Sequence, residues 1–146
     1  MNATATANET RSRRLLALGA TLFMLGLLTG FVVQMLTNPR MGLSGHLEGV
    51  MNGTFLIAVG AVWSRLRLGA TLERTAFALL VYGTFANWLF VMLAGLWGTS
   101  EISPIAGAGF KGLPWQESVV TLGLSSVGVA MVAGAALLTL GFFRRA

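Results

Sequence analysis

Crossing the roughly 30 Å hydrocarbon core of a bilayer takes about 20 helical residues at 1.5 Å each. This chain holds four apolar stretches of that length, over about residues 15–36, 45–63, 73–98 and 115–143. Nothing else constrains the fold as strongly. In lipid every backbone N–H and C=O needs a partner inside the protein, and a helix supplies one from its own segment. The expectation is an all-α membrane protein, a four-transmembrane-helix bundle formed by residues 12–146.

Composition agrees with this reading. Only 10% of the residues are charged, against about 25% in an ordinary soluble domain. There is no cysteine, which excludes disulfides, thiolate metal sites and cysteine nucleophiles. A net charge of +5 would point to nucleic acid in a soluble protein, but here every Lys and Arg lies in a flank or loop. The charge therefore reads as topology, and no nucleic-acid partner is expected. The polar segment MNATATANETR over residues 1–11 is expected to be disordered. A cleaved signal peptide is not expected, because the first apolar run is too long and lacks a small-residue cleavage site.

Loop charges set orientation. Arg11, Arg13, Arg14, Arg65, Arg67, Arg74, Arg144 and Arg145 fall on one side, and only Arg40 and Lys111 on the other. Both termini are thus expected in the cytoplasm, with localisation to the cytoplasmic (inner) membrane as a multi-pass protein. Trp97 and Trp115 would mark the outer interface and Trp63 the inner one. The loop 99–114, with Gly107, Gly109 and Gly112, has two readings: a lid over the outer mouth or a plain linker, the linker being the simpler.

Polar groups are costly inside a membrane, so each one in a span is a candidate functional residue. The densest group runs from Gly45 through His46, Glu48, Gly49 and Asn52 to Gly53. With His46 at zero, Gly53, Gly49 and Gly45 fall at roughly −20°, −60° and −100°, Asn52 at −120° and Glu48 at −160°. The polar residues and glycines share one broad arc. Gly45, Gly49 and Gly53 suit close helix packing, and equally a flat surface for a planar ligand beside His46. His46 is the only histidine; at a helix end it snorkels to water or hydrogen-bonds a carbonyl, the simpler reading, or it ligates a metal. One histidine without cysteine cannot build a zinc site, whereas haem needs a single axial protein ligand. Asn87 lies about 21 Å up the third span and Asn52 about 9 Å below His46, which puts the two amides at matching depth. They read as a shared polar pocket or as an interhelical hydrogen bond. Phe85, Trp88 and Phe90 are expected to surround Asn87 with aromatic surface. Glu48 shares a face with Asn52 and is a candidate for proton transfer or orientation, or an interfacial charge without a role.

The block from Gly45 to Gly53, together with Ala86-Asn87 in the third helix, resembles the hydroxylaminobenzene mutases and their relatives, the styrene oxide isomerases. The resemblance covers the second to fourth helices and is strongest in the second. It implies a four-helix protomer assembled as a homotrimer with haem b between neighbouring protomers. His46 would be the axial iron ligand, Gly49 and Gly53 would lie against the cofactor, and Asn52 and Asn87 would line its substrate side with Glu48 beside them. The styrene oxide isomerases carry a tyrosine one turn after the third-helix asparagine. Val91 stands there in this chain, which favours the mutase branch. The implied activity is rearrangement of an aryl hydroxylamine to a 2-aminophenol, with ferric haem as Lewis acid. Competing readings are an aryl epoxide isomerase giving an aldehyde, a haem-bearing electron-transfer anchor, and a non-catalytic membrane subunit or small transporter.

Overall fold

The computed structural model describes residues 3–144. Four long helices, α1 (Ala3–Val32), α2 (Pro39–Val62), α3 (Ala70–Trp97) and α5 (Pro114–Phe143), are joined by short connections, with a single helical turn α4 (Pro104–Gly107) in the last. All four are long and apolar enough to cross a membrane. The four spans expected from hydropathy are therefore present, and the differences lie at their ends.

The first difference is at the N-terminus. Where the sequence predicts disorder over residues 1–11, the chain is helical from Ala3; residues 1 and 2 lie outside the described residues. Polar contacts fasten the inner end of this extension to the bundle. Arg11 pairs with Glu73 at 2.8 Å, and Ser12 Oγ donates to the Gly60 carbonyl at 2.8 Å. Glu73 is buried and also accepts the Trp63 indole N–H at 2.9 Å. A polar segment that looks solvated in isolation is docked by a carboxylate from the third helix.

The second difference is the start of α2, six residues ahead of Gly45. Asn38 caps it, its Oδ1 accepting from the backbone N–H groups of Arg40 at 3.0 Å and Met41 at 3.3 Å, with Pro39 at the first helical position. The fully buried Asn38 also donates from Nδ2 to the carbonyls of Ala106 at 3.3 Å and Gly107 at 3.0 Å. The loop 99–114 is neither slack linker nor open flap. Besides Asn38, the Glu117 carboxylate grips it, accepting from the backbone N–H groups of Ser100, Glu101 and Gly112 at 2.9–3.1 Å. Trp97 and Trp115 stack edge to face beside it, with ring centroids 5.1 Å apart.

α1 packs chiefly on α2 and α5 chiefly on α3, with α2 and α3 as the central pair. Glycine makes the closest of these contacts. A Cβ added at Gly49 would strike the Gly26 backbone, and one at Gly53 would strike the Phe23 backbone. The apolar core falls into two clusters. One joins Leu15, Leu22, Leu56, Trp63, Leu80 and Leu138, and the other Met41, Val91, Ala94 and Val120. Along α2 and α3, the polar residues of the candidate site lie between them.

Candidate active site

α2 presents two kinds of chemistry on two flanks. On the flank toward α1, His46 Nδ1 lies 2.8 Å from the Gly26 carbonyl oxygen. A carbonyl only accepts, so Nδ1 carries the proton and the Nε2 lone pair is left uncommitted. Among the described residues Nε2 has no hydrogen-bond partner. Gly30, one turn on from Gly26, completes the seat: a Cβ there would meet Nδ1 at 3.0 Å and Cε1 at 3.3 Å. The ring is half-buried, and the exposed apolar side chains of Leu43 and Leu47 lie beside it on α2.

On the flank toward α3, Glu48 Oε2 accepts from Asn52 Nδ2 at 3.2 Å and from Asn87 Nδ2 at 2.6 Å. Asn52 Nδ2 also approaches the Thr84 carbonyl at 3.5 Å. The two amides of matching depth thus meet, and they meet through the carboxylate, not through each other. Trp88 Nε1 donates to Thr29 Oγ1 of α1 at 3.2 Å, closing the space between α1 and α3 beside Gly49.

Gly49 and Gly53 sit between these flanks and are covered by α1. Of the two readings of the glycine repeat, close helix packing is what their contacts display, and no open flat surface is left on them within the protomer. Gly45 is filled instead by the Met92 thioether. The aromatic residues also lie elsewhere than expected. Phe85, Trp88 and Phe90 line an apolar groove of about 430 Å³ with Val81, Tyr82, Ala86 and Leu89. Phe85 points roughly 160° from Asn87 around α3, because residues one or two apart do not share a helix face. Val91 is buried in the outer apolar cluster.

Sequence reasoning missed the contributions of α1, namely the Gly26 carbonyl, Gly30 and Thr29. The available signal was the spacing of Gly26 and Gly30, four residues apart in a span otherwise rich in leucine. Among the described residues, no group of three or more His, Cys, Asp and Glu side chains is placed to hold a metal ion.

Comparison with known proteins places this architecture. The family model for styrene oxide isomerase matches residues 11–143. The chain belongs to the styrene oxide isomerase family. Within it, the chain is similar to two proteins of Ectopseudomonas oleovorans. It is 50% identical to hydroxylaminobenzene mutase HabB over 127 residues, covering 86% of this chain and 77% of that protein. It is 46% identical to hydroxylaminobenzene mutase HabA over 131 residues, covering 89% of this chain and 97% of that protein. No solved structure gives a significant match. This family member is a multi-pass membrane protein and an isomerase of the mutase type.

Proposed function

We propose that this isomerase rearranges an aryl hydroxylamine to the corresponding 2-aminophenol, using ferric haem b held by His46. The observation that carries the reading is the committed imidazole. With Nδ1–H on the Gly26 carbonyl, Nε2 is left as the ligating atom, and a hydrogen bond of this kind is how metal-bound histidines are oriented. The half-buried ring and its apolar neighbours suit a flat, greasy group. Bound there, ferric haem would supply a Lewis-acidic iron. Similarity to the two hydroxylaminobenzene mutases and the valine at position 91 favour the hydroxylamine as substrate.

The reaction balances within one molecule. The N–O bond breaks, an ortho C–O bond forms, the ortho carbon loses a proton and the nitrogen gains one. No electrons enter or leave. Asn52 and Asn87 hold the reacting group in place, and their fixed dipoles act on the charge that spreads over nitrogen and ring as the N–O bond opens. Glu48 keeps both amides in that geometry. Small aromatic substrates partition into the bilayer, which accounts for an enzyme embedded there.

Placement of His46 on the α1 flank and of Asn52 on the α3 flank supports a ring of protomers, which we propose is a homotrimer with haem b between neighbours. The bias of arginine toward the termini and the second loop supports cytoplasmic ends in an inner membrane. A second reading, isomerisation of an aryl epoxide to an aldehyde, draws on the description of the family model. Absorption spectra of the protein purified in mild detergent test the cofactor. A Soret band near one haem per protomer is expected, absent in His46→Ala. Full haem retention by that variant would sink the ligand assignment. Parallel assays with an aryl hydroxylamine and an aryl epoxide then separate the two activities, and faster turnover of the epoxide would overturn the mutase reading.

A further inference from the structure

The amide groups of Asn52 and Asn87 are not free to turn. Asn52 Nδ2 donates to Glu48 Oε2 and lies near the Thr84 carbonyl. Asn87 Nδ2 donates to the same Glu48 oxygen. In both bonds Nδ2 donates and the Glu48 oxygen accepts, so both amide nitrogens face the carboxyl group and both Oδ1 atoms face away. Among the described residues neither Oδ1 has a hydrogen-bond partner, and neither has Glu48 Oε1. None of the three is sealed off either, since the buried oxygens without partners are the hydroxyls of Thr99 and Thr121. One carboxylate has thereby turned two amphoteric amides into acceptors.

We propose that Glu48 is a positioning residue that makes this site an array of acceptor oxygens and so selects guests bearing N–H and O–H donors. The inference rests on the mutase reading and gives it a basis in recognition. An aryl hydroxylamine offers one N–H and one O–H, its 2-aminophenol product offers three such hydrogens, and an aryl epoxide offers none. A guest without donors displaces water from the three oxygens and returns nothing, and sites built for hydrogen bonding reject such analogues strongly. The same oxygens lie where positive character on an N–H group would be stabilised as the N–O bond opens.

The test uses the protein as purified in mild detergent and equilibrium dialysis of two ligands of one shape. These are 2-aminophenol and o-xylene, in which methyl groups replace the amino and hydroxyl groups, each corrected for uptake by empty micelles. Wild-type protein is expected to prefer 2-aminophenol by about tenfold or more, the effect of one to two net hydrogen bonds. Glu48→Gln should keep that ratio within about threefold, because its single carbonyl oxygen can accept both amide bonds as Oε2 does. Glu48→Leu frees the amides to rotate, and its ratio should collapse toward one. Absence of preference in wild-type protein would overturn the proposal. Retained preference in Glu48→Leu would do the same, as would equal loss in Glu48→Gln, which would make the charge itself the determinant. Should Glu48→Leu fail to fold, the wild-type and Glu48→Gln ratios still decide. Turnover separates this inference from the reading beneath it. Rearrangement of an aryl hydroxylamine without donor preference refutes only the recognition device, whereas donor preference without rearrangement refutes only the mutase.

Discussion

Gly30 is the position at which the imidazole seat can be disturbed without altering the imidazole. A Cβ at residue 30 would lie 3.0 Å from His46 Nδ1 and 3.3 Å from Cε1. Restoring ordinary contact moves the ring by a few tenths of an ångström, away from α1. The bond from Nδ1 to the Gly26 carbonyl, now 2.8 Å, would stretch to roughly 3.2 Å, the outer limit for N–H···O. Loss of such an orienting bond typically costs about 10–100-fold in metal affinity, or about 1.4–2.8 kcal/mol. Helix stability moves the other way, since alanine is favoured over glycine in a helix interior by about 1 kcal/mol. Given the proposed ligation of haem by His46, Gly30→Ala should therefore fold with undiminished helicity by circular dichroism and lose haem about 10–100 times faster to an excess of apo-globin, followed at the Soret band. Haem loss within about twofold of wild type would refute the argument that the Gly26 carbonyl and Gly30 set the ring.

Two further substitutions probe the outer end. Asn38→Ala removes a helix cap worth about 0.5–2 kcal/mol and leaves the Ala106 and Gly107 carbonyls without their donor, so thermal unfolding in detergent should begin several degrees lower; an unchanged transition would remove Asn38 from the account of stability. Glu117→Ala releases three backbone N–H groups of the 99–112 segment, and limited proteolysis should then cut within that loop while the four spans stay intact. Equal resistance in both proteins would show that the loop is held by something else.

What could be read from the sequence follows from how local the causes are. The four spans were legible because bilayer thickness imposes a length, and length is visible in any run of apolar residues. The shared level of Asn52 and Asn87 was legible as depth, since rise per residue converts position along a helix into height, whereas the Glu48 carboxylate that joins them was read only as sharing a face with Asn52. Facing was harder to read. Phe85 is a neighbour of Asn87 in the chain but points elsewhere, as the period of the helix requires, and Phe90 is drawn to Gly123 of α5. Long-range polar contacts left no local trace. Arg11 is tied to Glu73, and the 99–114 loop to Asn38 and Glu117, partners 5 to 69 residues away. The Asn38-Pro39 pair was a readable helix start, overshadowed by the apolar run that follows it. The histidine seat escaped because its donors to the site are a backbone carbonyl and an absent side chain, neither of which has a signature in composition.

Glycine surfaces such as those joining Gly26 to Gly49 and Gly19 to Gly53 are smooth, and smooth helices can slide along each other by a turn, 5.4 Å, with little change in apolar contact. Three carboxylates work against that. Glu73 holds α3 to Arg11 of α1 and to Trp63 at the end of α2. Glu48 holds α2 to α3 near mid-height, and Glu117 holds α5 to the loop that Asn38 fastens to α2. They act as pawls at three levels of a ratchet: slippage of any helix by one turn would strand at least one acid among apolar side chains. The two asparagines at equal height in the proposed site thus have their axial alignment set by acids, while the glycines between them are left to set only how closely the helices approach.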